Sequence, residues 1–476
     1  MHAETNTTAP APVLPKQNIW QALWDALRGT EADYTKISLK KAIFLLAVPM
    51  ILELVMESAF AIADIYFVGK LGPSAVATVG LTETYLFLLY SIGMGLATGV
   101  TAIVARRIGE KKQKEANTAA VQAIIVALLA SLPFALAGIF YAQDLLRLMG
   151  ADEWSINNGY RYTAWMLGGN AVIMLLFVIN AIFRGAGDAS IAMTVLWIAN
   201  GFNIILDPIL IFGWGPIPAL GIEGAAVATT IGRGIGVLIQ LWFLFNGHQR
   251  VRISWAAMRW HARTMGSIVR TSLGGVGQMI VGMTSWIFIM RILSDIGSEA
   301  VAGATIALRI MMLTMMPAWG LSNAAATLVG QNLGAGQPDR AESTVWKIGF
   351  YNMIFLVAVS FLYFFGNEWL VSLFTEDAKV VQVGSTWLRI LSYSFFVYGW
   401  WMVSVQAFNG SGDTATPTWI NAVFFWLLQI PLSYLLAIHF DHGYHGVFWA
   451  VFFSETSVGL FTLWLFTRGK WKKHAV

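Results

Sequence analysis

Carboxylates embedded in apolar sequence are the residues of this chain best placed to do chemistry. The first long apolar stretch carries Glu53, Glu57 and Asp64. At 100° per residue, steps of four and seven keep all three within roughly 40° on one helix face. An acid at mid-membrane costs roughly 2.5–3.5 kcal/mol on insertion scales, so each one requires a reason. The pattern suits a polar stripe lining an aqueous cavity, with one member as ion carrier. The structural alternative has Glu53 and Glu57 hydrogen-bonded to neighbouring helices and Asp64 touching water near the outer end. A fifth apolar stretch carries Asn200, Asn203 and Asp207, spaced by three and four on one face. Pro208 follows and loosens the helix beside the acid, where an ion or proton site is readily built. Asn180, near the end of the fourth stretch, can join this network. An Asn/Asp network that only ties helices together is the plain alternative. Pro49 gives the first stretch its own capacity to bend.

The elements that must position these groups are membrane-spanning helices. The 476 residues are 57% hydrophobic and 12% charged, against roughly 25% charged in soluble domains. Stretches long enough to cross roughly 30 Å of hydrocarbon fall near 41–66, 76–105, 117–140, 158–183, 189–214 and 222–246. Six more fall near 266–292, 300–331, 343–366, 384–408, 415–438 and 446–467. The expected class is therefore an all-α polytopic membrane protein with twelve spans. Barrel strands would be about 10 residues long and alternating. The absence of cysteine removes disulfides, thiolate metal sites and cysteine nucleophiles.

The second half repeats the first at a constant offset of 225 residues. Phe183-Arg-Gly-Ala-Gly-Asp188 returns as Phe408-Asn-Gly-Ser-Gly-Asp413, Gly95 as Gly320, Gly109 as Gly334 and Gly221 as Gly446. In a chain this apolar, matched halves form the walls of a transport cavity with the site between them. An even number of spans per repeat makes the halves parallel, giving two pseudo-symmetric six-helix lobes. The expected division is an N-terminal tail (1–37), an N-lobe (38–247), a linker (248–265), a C-lobe (266–467) and a basic tail (468–476). The acids do not repeat: Asp64 falls on Ile289, Asp207 on Leu432, Glu53 on Gln278 and Asn203 on Leu428. This asymmetry points to a coupling site in the first lobe alone.

Basic residues gather beside helix ends. Arg106, Arg107, Lys111, Lys112 and Lys114 follow the second span, and Arg468, Lys470, Lys472 and Lys473 follow the last. The positive-inside rule then places both termini and the linker in the cytoplasm. Residues 1–15 read as a disordered Pro/Ala-rich tail. Trp20, Leu23, Trp24 and Leu27 read as a short helix on the inner membrane surface. Glu83 and Arg309, at nearly equivalent places in the two halves, are candidates for an outer gate. Arg233 and Glu455 read as members of local structural pairs. His439, Asp441, His442 and His445 read as a solvated loop rather than a metal site. Met312, Met316 and Tyr398 are candidate walls of a cavity for flat, lipophilic cations.

The run Asn203-Ile-Ile-Leu-Asp207-Pro208, with Gly221-Ile-Glu-Gly224-Ala-Ala-Val-Ala-Thr after it, resembles the fifth-to-sixth helix signature of multidrug and toxic compound extrusion (MATE) transporters. Ala63-Asp64-Ile-Tyr-Phe-Val-Gly69, Arg184-Gly-Ala-Gly-Asp188 and Val329-Gly-Gln-Asn-Leu-Gly334 resemble further motifs of that family. The resemblance covers about 38–467 and implies a V-shaped pair of lobes, with antiport of organic cations against protons or possibly sodium. It is closest to the DinF-like branch, whose acids on helices one and five match Asp64 and Asp207, with Asn180 and Asn203 as polar partners. Members with a sodium site in the second lobe carry acids on helices seven and ten, where this chain has Gln278, Val281 and Tyr398. Two close carboxylates cannot both stay charged cheaply in a poorly solvated pocket, so the pair would take up an ion from outside, which lowers substrate affinity and lets the substrate leave outward. The expected partners are small organic cations and the lipid bilayer, with no cofactor, no metal and no nucleic acid. The chain is read as a monomer in a bacterial plasma or inner membrane. A lipid or lipid-linked-sugar flippase is the alternative, though it would favour more basic residues in the cavity. An enzyme is not expected, since no catalytic constellation or P-loop is present.

Overall fold

The computed structural model describes residues 18–30, 32–246, 250–253 and 259–474. The expected tail at 1–15 and parts of the linker lie outside the described residues. A short helix α1 (Ile19–Arg28) precedes the first lobe. That lobe comprises α2 (Leu39–Gly69), α3 (Pro73–Gly109), α4 (Gln113–Leu148), the broken span α5 (Tyr160–Gly168) and α6 (Ala171–Ala186), α7 (Ala189–Phe212) and α8 (Ile222–Asn246). The second comprises α9 (Ala262–Ile296), α10 (Ser298–Gly334), α11 (Pro338–Ser372), the broken span α12 (Ala378–Ser392) and α13 (Phe395–Ser411), α14 (Ala415–His439) and α15 (Gly443–Thr467). Every expected span has its helix. The two breaks, at Gly169–Asn170 and Tyr393–Ser394, fall at matching places of the repeat. Side chains at each break bind nearby carbonyls. Asn170 Nδ2 donates to the carbonyls of Ser131 (3.1 Å) and Leu167 (2.5 Å), and Ser394 Oγ donates to that of Leu391 (2.9 Å).

The repeat is also visible in local geometry. Gly187 and Gly412 end α6 and α13 with the same left-handed φ of 93°, which glycine adopts without steric penalty. Across the lobes, Gly95 packs on Val276, and its counterpart Gly320 packs on Ile51, the counterpart of Val276. Gly109 and its counterpart Gly334 meet each other. A Cβ on Gly109 would lie 2.1 Å from the Gln331 carbonyl oxygen, and one on Gly334 2.3 Å from that of Arg106. The halves are thus related by a two-fold axis, with α3 against α9 and α10, and α2 against α10.

All these approaches lie toward the face that carries both ends of the chain. There Arg340 donates to the carbonyls of Tyr34 (3.1 Å) and Ile37, and Lys472 meets Glu342 at 2.5 Å. Arg250, just after α8, binds the carbonyls of Ala186 and Ala32 and lies 4.9 Å over the Tyr34 ring. A seam of buried apolar residues joins α2 (Ala42, Ala47, Met50) to α10 (Ala324, Ala325, Val329) on this terminal face. Toward the far face, Ile62 and Ile65 of α2 and Met312 of α10 are exposed instead, so the lobes separate there. Trp20 and Trp24 point outward from α1 and Ala26 inward, as a helix lying on a membrane surface requires.

Candidate ion-coupling site

The polar groups of the N-lobe interior form a column of three clusters, stacked from the terminal face to the far face. In the first, Asn180 Nδ2 on α6 donates to Glu53 Oε1 on α2 at 3.2 Å. Arg184, one turn further along α6, stands 3.7 Å from the same oxygen, and Gln240 on α8 donates to Asn180 Oδ1 at 2.6 Å. In the second, Glu57 is held by Arg233 of α8 at 3.1 Å and by Asn200 of α7 at 2.9 Å. The Arg233 guanidinium also lies 5.4 Å over the Phe60 ring. In the third, Asn203 bridges α7 and α8. With its Nδ2 turned to Asp207 Oδ2 at 2.9 Å, its Oδ1 accepts from the Thr229 hydroxyl and N–H, both at 2.9 Å. Asp207 is fully buried, and its Oδ1 has no partner. Asp64 is half-buried and within electrostatic range of Asp207, Glu83 and Arg233.

The sequence expectations meet this arrangement unevenly. Asp64, Asp207 and Asn203 come together. Asn180 does not join them: it binds Glu53 and Gln240, because it lies near the terminal end of α6 whereas Asp207 lies near the far end of α7. At 1.5 Å per residue those positions are in opposite halves of the bilayer. Asn200 likewise serves Glu57. Glu53 and Glu57, whose roles the sequence left open, are ion-paired, and Arg233, expected to pair locally, instead pairs with Glu57 of a helix remote in sequence. Helices α2 and α7 run unbroken through Pro49 and Pro208. Glu83 and Arg309 are exposed and in electrostatic range, but no ion pair within 4 Å joins them among the described residues. Met312 is exposed and Met316 half-buried, while Tyr398 packs against the aromatic core of the second lobe. Among the described residues, no hydrogen bond or ion pair supplies the local partner expected of Glu455.

Sequence reasoning missed Thr229 and Gln240, and gave Arg184 no role at the site. The signal was present: Thr229, Arg233 and Gln240 are spaced by four and seven, the spacing of the α2 acids. Such spacing puts them on one face of α8, antiparallel to Glu53, Glu57 and Asp64.

The MatE family model matches twice, at residues 49–209 and 275–435, once in each lobe. The chain belongs to the MatE family. It is a MATE transporter, a multi-pass helical membrane protein with the twelve-helix, two-lobe arrangement of its structural neighbours. Its relatives include the Thermotoga maritima protein described as "Probable multidrug resistance protein NorM", 27% identical over 444 residues, spanning 92% of this chain and 94% of that one. A Shewanella oneidensis protein described as "FAD transporter" is 25% identical, spanning 89% and 93%. A solved structure described as the outward-facing conformation of a multidrug resistance MATE transporter superposes with TM-score 0.84 at 25% identity, covering 91% of this chain and 96% of that one.

Proposed function

We propose that this MATE transporter exports lipophilic organic cations by alternating access, in exchange for protons or sodium bound at Asp64 and Asp207. One observation carries the reading, a contrast in charge pairing. Glu53 and Glu57 each face an arginine. Among the described residues, no basic side chain lies within 4 Å of Asp64 or Asp207. A buried carboxylate without a counter-charge recruits one from outside or takes up a proton. The open Asp207 Oδ1, the Asp64 carboxylate and the amide and hydroxyl of Asn203 and Thr229 suit either a proton or a small hard cation. Asn203 and Thr229 orient the acids, and Asn180 acts on Glu53 instead.

The basic clusters on the terminal face support a cytoplasmic placement for it. The cycle then runs from the far-open state seen here. An ion from outside enters the third cluster and neutralises the acids, which changes how α2 and α7 hold together. Substrate affinity in the cleft falls and the organic cation leaves. The lobes close on the far side, the glycine seam parts, and the ion escapes to the cytoplasm. The test is reconstitution in vesicles, with a proton gradient and a sodium gradient imposed separately on a fluorescent organic cation. Movement against either gradient supports antiport and names the ion. No response to either, with FAD moving instead, would replace the reading with the anion transport that one relative's name describes.

A further inference from the structure

On the terminal face, the segment that leads into each lobe is bound by a side chain of the opposite lobe. Residues 32–38 lead into α2 and are fastened to the first lobe. Tyr34 donates its hydroxyl to the Gly187 carbonyl at 3.0 Å, and its ring lies 4.9 Å from the Arg250 guanidinium. Arg250 binds the carbonyls of Ala32 and Ala186, and Gly29 abuts Ser190 of α7. Ser38 Oγ then caps α2 at the Lys41 N–H. Tyr34 is 3% exposed, so this segment is packed into the face rather than draped over it.

One residue of the second lobe reaches across to it. Arg340, in the first turn of α11, donates from Nη2 to the carbonyls of Tyr34 (3.1 Å) and Ile37. Its Nε donates to Asn332 Oδ1 at 3.0 Å. Asn332 is fully buried at the end of α10 and donates to the Leu328 carbonyl at 2.7 Å, which holds the guanidinium in place. Among the described residues, Arg340 makes every hydrogen bond between residues 32–38 and the second lobe.

The two-fold axis supplies a mate. Residues 259–261 lead into α9, the first span of the second lobe. Gln122 lies on α4, the counterpart of α11. Its Nε2 donates to the Arg259 carbonyl at 2.8 Å, and its Oε1 accepts from the His261 N–H at 3.1 Å. Gln122 is fully buried, and His261 caps α9 at the Thr264 N–H as Ser38 caps α2. Each entry segment is therefore pinned to the third span of the other lobe. The linear repeat does not announce the pair. Glu115, the formal counterpart of Arg340, pairs within its own lobe with Arg107 at 3.2 Å.

We infer that Arg340 and Gln122 are gating residues: they clasp the entry segments of the two lobes, hold the terminal face closed in the far-open state, and let go when it opens. The inference rests on the alternating-access cycle, in which the lobes part on this face. Both clasps cross the boundary between lobes, so rigid rocking must break both. Opening admits water to the released carbonyls and amide, which makes the clasps reversible. Arg340 carries the larger share, because a guanidinium binds a carbonyl roughly twice as strongly as a neutral amide does.

The test measures distances by pulsed electron resonance between spin labels on cysteines placed in the full chain, which has none of its own. Lys36, Lys114 and Asp339 are exposed on the terminal face. On passing to the terminal-open state, the Lys36–Asp339 distance is expected to lengthen and the Lys36–Lys114 distance to stay fixed. Arg340→Ala is expected to raise the ratio of long to short Lys36–Asp339 distances roughly tenfold. Arg340→Lys, which lacks the planar fork, and Gln122→Ala are expected to raise it less. An Arg340→Ala ratio equal to wild type, even with a lowered melting temperature, overturns the proposal, because Arg340 would then be a contact of the fold alone. Should Arg340→Ala not fold, the wild-type distances decide: Lys36 fixed relative to Asp339 while Lys114–Asp339 lengthens overturns it. If Lys114–Asp339 is itself invariant, the rocking cycle fails and the clasps fall with it.

Discussion

Two kinds of acid share the N-lobe interior, and substitution should separate them. Asp207→Asn and Asp64→Asn keep size and remove charge at carboxylates that lack an arginine. Both are expected to abolish ion-driven efflux in vesicles while leaving the melting temperature close to wild type; efflux at the wild-type rate would contradict the assignment. Glu57 behaves differently because Arg233 neutralises it at 3.1 Å. Arg233→Met strands a carboxylate in the membrane, at a cost of roughly 3–5 kcal/mol, and should lower the melting temperature sharply. Adding Glu57→Gln should restore most of that loss, since an apolar or neutral pair replaces an ion pair nearly isoenergetically. Thermal denaturation of the two singles and the double reads this coupling directly. The sequence placed Glu57 on the right face, but its partner was hidden: Arg233 lies 176 positions away, and no local pattern ties the two together.

Among the helices, the terminal seam is where one side chain can change the conformational balance. Gly109 has no room for a Cβ against the Gln331 carbonyl. Gly109→Val is therefore expected to force α3 from α10 and populate the terminal-open state. The chain lacks cysteine, so Ser272→Cys offers a silent reporter. Ser272 is buried on α9 beside Gly99, and its maleimide labelling should rise several-fold in the Gly109→Val background. Unchanged labelling would mean that the seam does not gate this face. The glycines were legible as repeat markers, at 95, 109, 320 and 334. That each meets the opposite lobe was not, because small-residue spacing looks the same for packing within a lobe.

For the whole molecule, the two-fold axis makes a geometric prediction. Lys70 and Asp295 are counterparts at the far face, and Lys114 and Asp339 are counterparts at the terminal face, all four exposed. Spin labels on the first pair should approach one another as the ion-loaded far-open state gives way to the terminal-open state. Labels on the second pair should move apart over the same transition. Distances by pulsed electron resonance that change in the same sense, or in neither pair, would rule out rocking of rigid lobes. The breaks at Gly169 and Ser394 lie within single lobes and should leave both distances unaffected.

The sequence by itself determined the number of spans, the parallel repeat and the placement of acids in the first lobe. Those properties are written along the chain, in hydrophobic length, a constant offset and helical spacing. Tertiary structure alone decided which acids are neutralised. Arg184 reaches Glu53, and Arg233 reaches Glu57, from helices remote in sequence, and among the described residues no arginine comes within 4 Å of Asp64 or Asp207. It also separated Asn180 from Asp207 and, among the described residues, left Glu455 without the partner expected for it. The reason is physical: the worth of a buried charge depends on whatever lies within a few ångströms of it, and packing of distant helices sets that neighbourhood.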